Sequence, residues 1–140
     1  MDSNLRRSII LDNYNNPNNR QRHDNDDNIK TNSRNISCID NIDVYVKIEN
    51  NTIKDITYEG EACAISISSS SIISNLLKDK TLEQAKEIIN NYYNMIEEKE
   101  YNKELLEEAN VFDEIYKQPS RKMCATLIVR GIENIINKMK

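Results

Sequence analysis

The sequence predicts an α+β fold, a small antiparallel sheet packed against several helices. Three observations predict it. Ile42, Val44, Val46 and Ile48 alternate with polar or aromatic residues, the period of a half-buried strand. After Cys63 the spacing becomes helical, with Ile65, Ser69, Ile72 and Leu76 on one face. Near the end of the sequence, Ala125, Ile128, Ile132, Ile135 and Met139 again recur at helical spacing. The 140 residues suit one domain with one core, taken as residues 1–140.

The elements follow in order. Ser3 is a suitable cap for a first helix that places Leu5, Ile9 and Ile10 on one face. That helix should end near Tyr14, because the residue before Pro17 avoids the α region. Asn15 to Lys30 is polar, holds the only histidine, His23, and reads as a loop. The strand over Ile42–Ile48 is followed by Asn50-Asn51, a turn pair, and by a second strand over Ile53–Tyr58, which makes a hairpin. The serine-rich stretch after Cys63 reads as a helix rather than a linker, since its Ile and Leu residues are too regular for a linker. Thr81 with Gln84 is a capping box opening a helix that carries Leu82, Ala85, Ile89, Tyr92 and Ile96. Glu97 to Glu108 is charged and reads as helical or loosely held. Pro119 opens the last element, and Cys124 falls in the first turn of the final helix or just before it.

Composition narrows the function. A formal net charge of −4 leaves no basic excess to displace counterions, so nucleic acid is not the expected partner. No apolar run approaches the ~20 residues that span a bilayer, and the start does not read as a secretory signal. Three cysteines, an odd number, argue against a closed set of disulfides and for a reducing, cytoplasmic setting.

Each cysteine has an informative neighbourhood. Cys38 and Asp40 are two apart ahead of a strand, so in extended chain their side chains face one way. Cys63 lies at the junction between the hairpin and the serine-rich helix. A helix N-terminus lowers a thiol's pKa, and Cys63 and Cys124 are both expected near one. Three thiolates and one carboxylate can complete a tetrahedral metal site. Arg121 and Lys122, just ahead of Cys124, can offset its negative charge. Such soft ligands favour zinc, copper(I) or iron–sulfur species over magnesium or calcium.

Four ordered blocks carry a resemblance. They are Leu5 to Arg20 with its Tyr14-x-x-Pro17-x-Asn19-Arg20 ending, Ser37-Cys38-Ile39-Asp40, Glu59-Gly60-Glu61-Ala62-Cys63-Ala64-Ile65-Ser66, and Pro119-Ser120-Arg121-Lys122-Met123-Cys124-Ala125-Thr126-Leu127. The chain resembles the SufU branch of the NifU/IscU-type iron–sulfur assembly proteins. Met123 stands where IscU proteins carry a histidine, and the long interval from Cys63 to Cys124 looks like the inserted segment of SufU-type proteins. Arg121 matches an arginine that SufU-type proteins place three residues before the last cysteine. Three positions depart from the pattern: Ile39 and Ala62, where the family has glycine, and Met123, where SufU-type proteins often have lysine.

The resemblance implies a single NifU N-terminal-like domain whose Cys38, Asp40, Cys63 and Cys124 bind zinc. It implies a sulfurtransferase role, with a cysteine desulfurase as the persulfide donor and downstream iron–sulfur assembly proteins as recipients. Cys38 is the expected sulfur acceptor, because its neighbour Asp40 is a hard ligand on a borderline-soft ion and that side should rearrange most readily. Arg121 is expected to support the anionic site. The alternative is a scaffold carrying iron or a [2Fe–2S] cluster on the same ligands. A structural zinc adaptor ranks below both, since paired Cys-x-x-Cys knuckles are missing.

Overall fold

The computed structural model describes residues 1–21 and 28–139. The polar stretch around His23 lies outside the described residues. Three strands form one antiparallel sheet in the order β1 (Asn28–Arg34), β2 (Asn41–Glu49), β3 (Thr52–Glu61). Among the described residues six helices accompany it: α1 (Ser3–Asn15), α2 (Ala64–Leu77), α3 (Leu82–Ile96), α4 (Lys103–Leu106), α5 (Pro119–Ala125) and α6 (Leu127–Lys138). Two 3-10 turns, Glu107–Phe112 and Ile115–Lys117, join α4 to α5. The α+β fold class expected from the sequence is the one observed.

The hairpin forms as its residues dictate. Ile42, Val44 and Val46 are buried on one face of β2. Asn50 and Asn51 both adopt positive φ (52° and 60°), the conformation that two-residue hairpin turns require. Strand β1 was not foreseen, and its first three residues fall inside the expected loop. Of its inward positions only Ile29 is aliphatic, and the buried ones are Thr31 and Ser33, so no hydrophobic alternation announces it. Their hydroxyls meet α6 instead: Ser33 Oγ donates to the Leu127 carbonyl at 2.7 Å, and Asn134 Nδ2 donates to Thr31 Oγ1 at 2.8 Å. Gly131 permits this close crossing of α6 over the sheet, since a Cβ there would lie 2.9 Å from Val44 Cγ2.

Helix α2 is buried nearly all round, with Ser66, Ser68, Ser69, Ser70, Ser71 and Ser74 inside. Four of those hydroxyls bond back to carbonyls three or four residues earlier, as Ser70 does to Ser66 at 2.7 Å. Ser71 instead donates to Asn13 Oδ1 at 2.7 Å, which seats α1 on α2. Small, internally satisfied side chains thus let a central helix be packed from every side.

Helix α1 differs from expectation in two details. Asp2 rather than Ser3 is the cap, accepting the Leu5 N–H at 2.8 Å. Leu5 is half exposed, and Arg6 reaches inward to Asp113 at 3.0 Å. The capping box of α3 forms as expected, with Thr81 Oγ1 and Gln84 Oε1 each 3.0–3.1 Å from the other residue's N–H. The charged stretch after α3 becomes short helical turns whose Leu106, Ala109, Val111 and Phe112 join the core. Tyr92, fully buried, meets Phe112 edge-on with centroids 6.4 Å apart and donates to the Ala125 carbonyl at 2.7 Å.

Candidate metal centre

Register brings three of the four donors to one end of the sheet, and α5 supplies the fourth, Cys124. Arg34 pairs with Asn41, and Asn41 with Glu61, so the β1–β2 loop and the end of β3 lie side by side. That loop carries Cys38 and Asp40, and Cys63 follows β3 by two residues. Gly60 holds the junction, because its φ of +131° and the adjacent Asn41 carbonyl leave no room for a Cβ. The Gly60 carbonyl accepts Arg20 Nη2 at 2.8 Å, and Tyr58 Oη donates to the Asn18 carbonyl at 2.8 Å, which ties the chain after α1 to β3.

The four predicted ligands converge. One donor atom each from Cys38, Asp40, Cys63 and Cys124 lies within 4.8 Å of every other. Ligand atoms around a tetrahedral zinc with Zn–S of ~2.3 Å stand ~3.8 Å apart, so the set closes on an ion with small adjustments. Three sulfurs and one carboxylate suit zinc or an iron–sulfur unit. Cys63 is the N-cap of α2, yet its thiol makes no capping bond and stays available as a ligand. Cys38 and Cys63 are half-buried, whereas Cys124 and Asp40 are buried.

Asp40 is held from several sides. Its Oδ1 accepts the Cys63 N–H at 2.8 Å, and its Oδ2 accepts the Ser66 hydroxyl at 2.5 Å. Burial pushes the carboxyl's pKa up, but these hydrogen bonds outweigh it and leave Asp40 below the usual carboxylate value. For Cys124 nothing outweighs burial. With Cys63 and Asp40 alongside, its thiol is pushed up from 9.0 to about 12 without a cation in place. Cys124 sits in the last turn of α5, ahead of α6, rather than in a first turn, so it lacks the stabilisation of thiolate that a helix N-terminus gives.

Other residues complete the site and were not foreseen. Asn35, buried, has its Nδ2 3.7 Å from Cys124 Sγ. Ser66 lies 3.1 Å from the Cys124 carbonyl as well as on Asp40. Arg130 Nη2 donates to the Met123 carbonyl at 2.6 Å and its Nη1 to the Arg34 carbonyl at 3.4 Å. Burial lowers the Arg130 pKa, while Tyr93, Asp40 and Cys124 act to raise it, so its charge is felt at the cluster. By contrast Arg121 is exposed, and among the described residues its side chain makes no hydrogen bond to the four donors. Lys122 turns away to Glu97 at 3.2 Å. The positions where glycine was expected, Ile39 and Ala62, do not have positive φ, so the backbone there is ordinary for their side chains.

A family model described as NifU-like N terminal domain matches residues 5–134. The zinc-dependent sulfurtransferase SufU of Bacillus subtilis is 31% identical over 135 residues, covering 96% of this chain and 90% of that protein. The iron–sulfur cluster assembly scaffold protein IscU of Thermotoga maritima is 27% identical over 106 residues, covering 76% of this chain and 75% of that protein. The crystal structure of FiSufU from Fervidobacterium islandicum AW-1 superposes with a TM-score of 0.86 at 26% identity, covering 94% of this chain and 97% of that one.

Proposed function

This chain belongs to the family of NifU-like N-terminal domains, and from that premise we propose that it serves iron–sulfur cluster assembly as a zinc-dependent sulfur acceptor. The observation that carries the reading is the convergence of three thiols and a carboxylate within 4.8 Å, with one thiol on a half-buried loop. Cys38, Asp40, Cys63 and Cys124 would hold the zinc, whose charge would favour thiolate at Cys124, where burial otherwise disfavours it. The donor is a cysteine desulfurase carrying a persulfide.

Cys38 is the acceptor. It sits on a loop whose neighbours Ile36 and Ile39 are exposed, while Cys63 is fixed as a helix cap and Cys124 is 1% exposed. As thiolate, Cys38 Sγ attacks the outer sulfur of the donor persulfide. A new S–S bond forms, the donor's S–S bond breaks, and the donor cysteine leaves as thiolate. No external oxidant or reductant is needed. Asp40 stays in place through its bonds to Cys63 and Ser66, so the Cys38 end of the loop can move without dismantling the site. Arg121, exposed three residues before Cys124, supplies a positive charge able to attract an anionic persulfide.

Turnover of a cysteine desulfurase, measured with and without this protein, tests the reading. Zinc-loaded protein should stimulate turnover and metal-stripped protein should not. The similarity to IscU supports a second reading, a [2Fe–2S] scaffold on the same ligands. Protein purified without air would then hold iron and sulfide and be brown, with no stimulation of the desulfurase.

A further inference from the structure

We propose that Asn35 is a positioning residue that aligns the Cys38 loop with the Cys124 thiol through the two ends of one side-chain amide. The inference deepens the sulfur-acceptor reading and rests on it for its functional meaning. Asn35 lies in the connection between β1 and β2, yet only 4% of it is exposed. Its Oδ1 accepts the Ser37 N–H at 3.1 Å, an Asx turn. That bond fixes the amide's orientation, because only the oxygen can meet an N–H. The Nδ2 therefore faces the other way, 3.7 Å from Cys124 Sγ.

The backbone of the same residue closes the loop. Its N–H donates to the Asp40 carbonyl at 3.0 Å, and its carbonyl accepts the Cys38 N–H at 3.0 Å. Segments bearing Cys38, Asp40 and Cys124 thus meet at one side chain and its peptide groups. Each end of the amide answers a chemical need. A buried sulfur that must carry negative charge is stabilised by an N–H donor aimed at it. A loop that presents a reacting thiol needs a fixed stem if the thiol is to return to the same place. Arg130 braces the same two segments from outside, through the carbonyls of Arg34 and Met123.

The two roles can be separated by substitution. Asn35→Ser keeps an oxygen able to accept the Ser37 N–H but has nothing that reaches Cys124. Asn35→Ala removes both ends. Amide hydrogen exchange at Ser37 and Cys38 in metal-free protein reads the turn, and zinc affinity by chelator competition reads the sulfur contact. Both variants should bind zinc about tenfold more weakly than wild type. Exchange at Ser37 and Cys38 should accelerate several-fold in Asn35→Ala and stay near wild type in Asn35→Ser.

Wild-type exchange in Asn35→Ala, or wild-type zinc affinity in Asn35→Ser, overturns the proposal. So does acceleration spread over the whole core in both variants, the signature of a merely structural residue. If wild-type protein takes no sulfur from a desulfurase, the reading of function fails while these two readouts keep their meaning. If wild-type protein holds no zinc, that reading fails too, and the exchange comparison alone decides on Asn35.

Discussion

At the scale of single residues, the site works by setting burial against hydrogen bonding. Asp40 and Cys124 are both buried, but only Asp40 has enough donors to stay charged unaided. Ser66 is central to that difference. Ser66→Ala should weaken zinc binding about tenfold by freeing the carboxylate. Its stability cost should be only about 1 kcal/mol, one hydrogen bond's worth, and chelator competition with thermal melts separates the two effects. Cys124 gives a pH signature. Its pKa is raised in the folded metal-free protein, so folding favours the neutral thiol. The stability it contributes is fully present below the ordinary thiol value of 9.0 and is lost as pH rises toward about 12. Metal-free protein should therefore lose stability across that window in denaturant titrations, and Cys124→Ala should flatten the loss. The cysteines were legible in the sequence because only three occur and thiols are chemically specific, and Asp40 because it stands two residues after Cys38. Asn35 and Ser66 were not, since Asn and Ser are abundant in this chain and only their burial distinguishes them.

At the scale of elements, legibility followed hydrophobic pattern. Strand β2 and helix α3 could be read because Val44 and Val46 alternate and because Thr81 and Gln84 make a complete cap. Strand β1 could not, because it buries Thr31 and Ser33 and satisfies them through α6. The break between α5 and α6 at Thr126 was also hidden, since Ala125 and Ile128 continue a helical spacing across it. Two substitutions test the elements that aim the ligands. Thr81→Ala should cost about 1 kcal/mol by removing a cap remote from the metal centre, and zinc affinity should not change. Gly60→Ala should cost roughly 2–4 kcal/mol, since a Cβ there is both strained and pressed on the Asn41 carbonyl. Because Gly60 sets the approach to Cys63, that variant should also lose zinc affinity where Thr81→Ala does not.

At the scale of the whole molecule, the core and the metal centre are adjacent but distinct. Val44, Ile73, Leu77, Tyr92 and Ile128 are fully or almost fully buried in a core cluster that contains none of the four ligands. Chelation should therefore lower the melting temperature while the far-ultraviolet helical signal persists at room temperature. Saturating zinc should raise stability by about 4 kcal/mol when free metal stands a thousandfold above its dissociation constant. A chain that unfolded on chelation would instead behave as a structural zinc domain. The central claim is that one of three converging thiols, Cys38, receives sulfur. Its most direct measurement is peptide mass mapping after incubation with a cysteine desulfurase and free cysteine, with thiols blocked before digestion. The account predicts the mass of one added sulfur atom on the Cys38 peptide, absent from Cys38→Ala. Sulfur found on Cys63 or Cys124 with Cys38 unmodified, or wild-type uptake by Cys38→Ala, would contradict it.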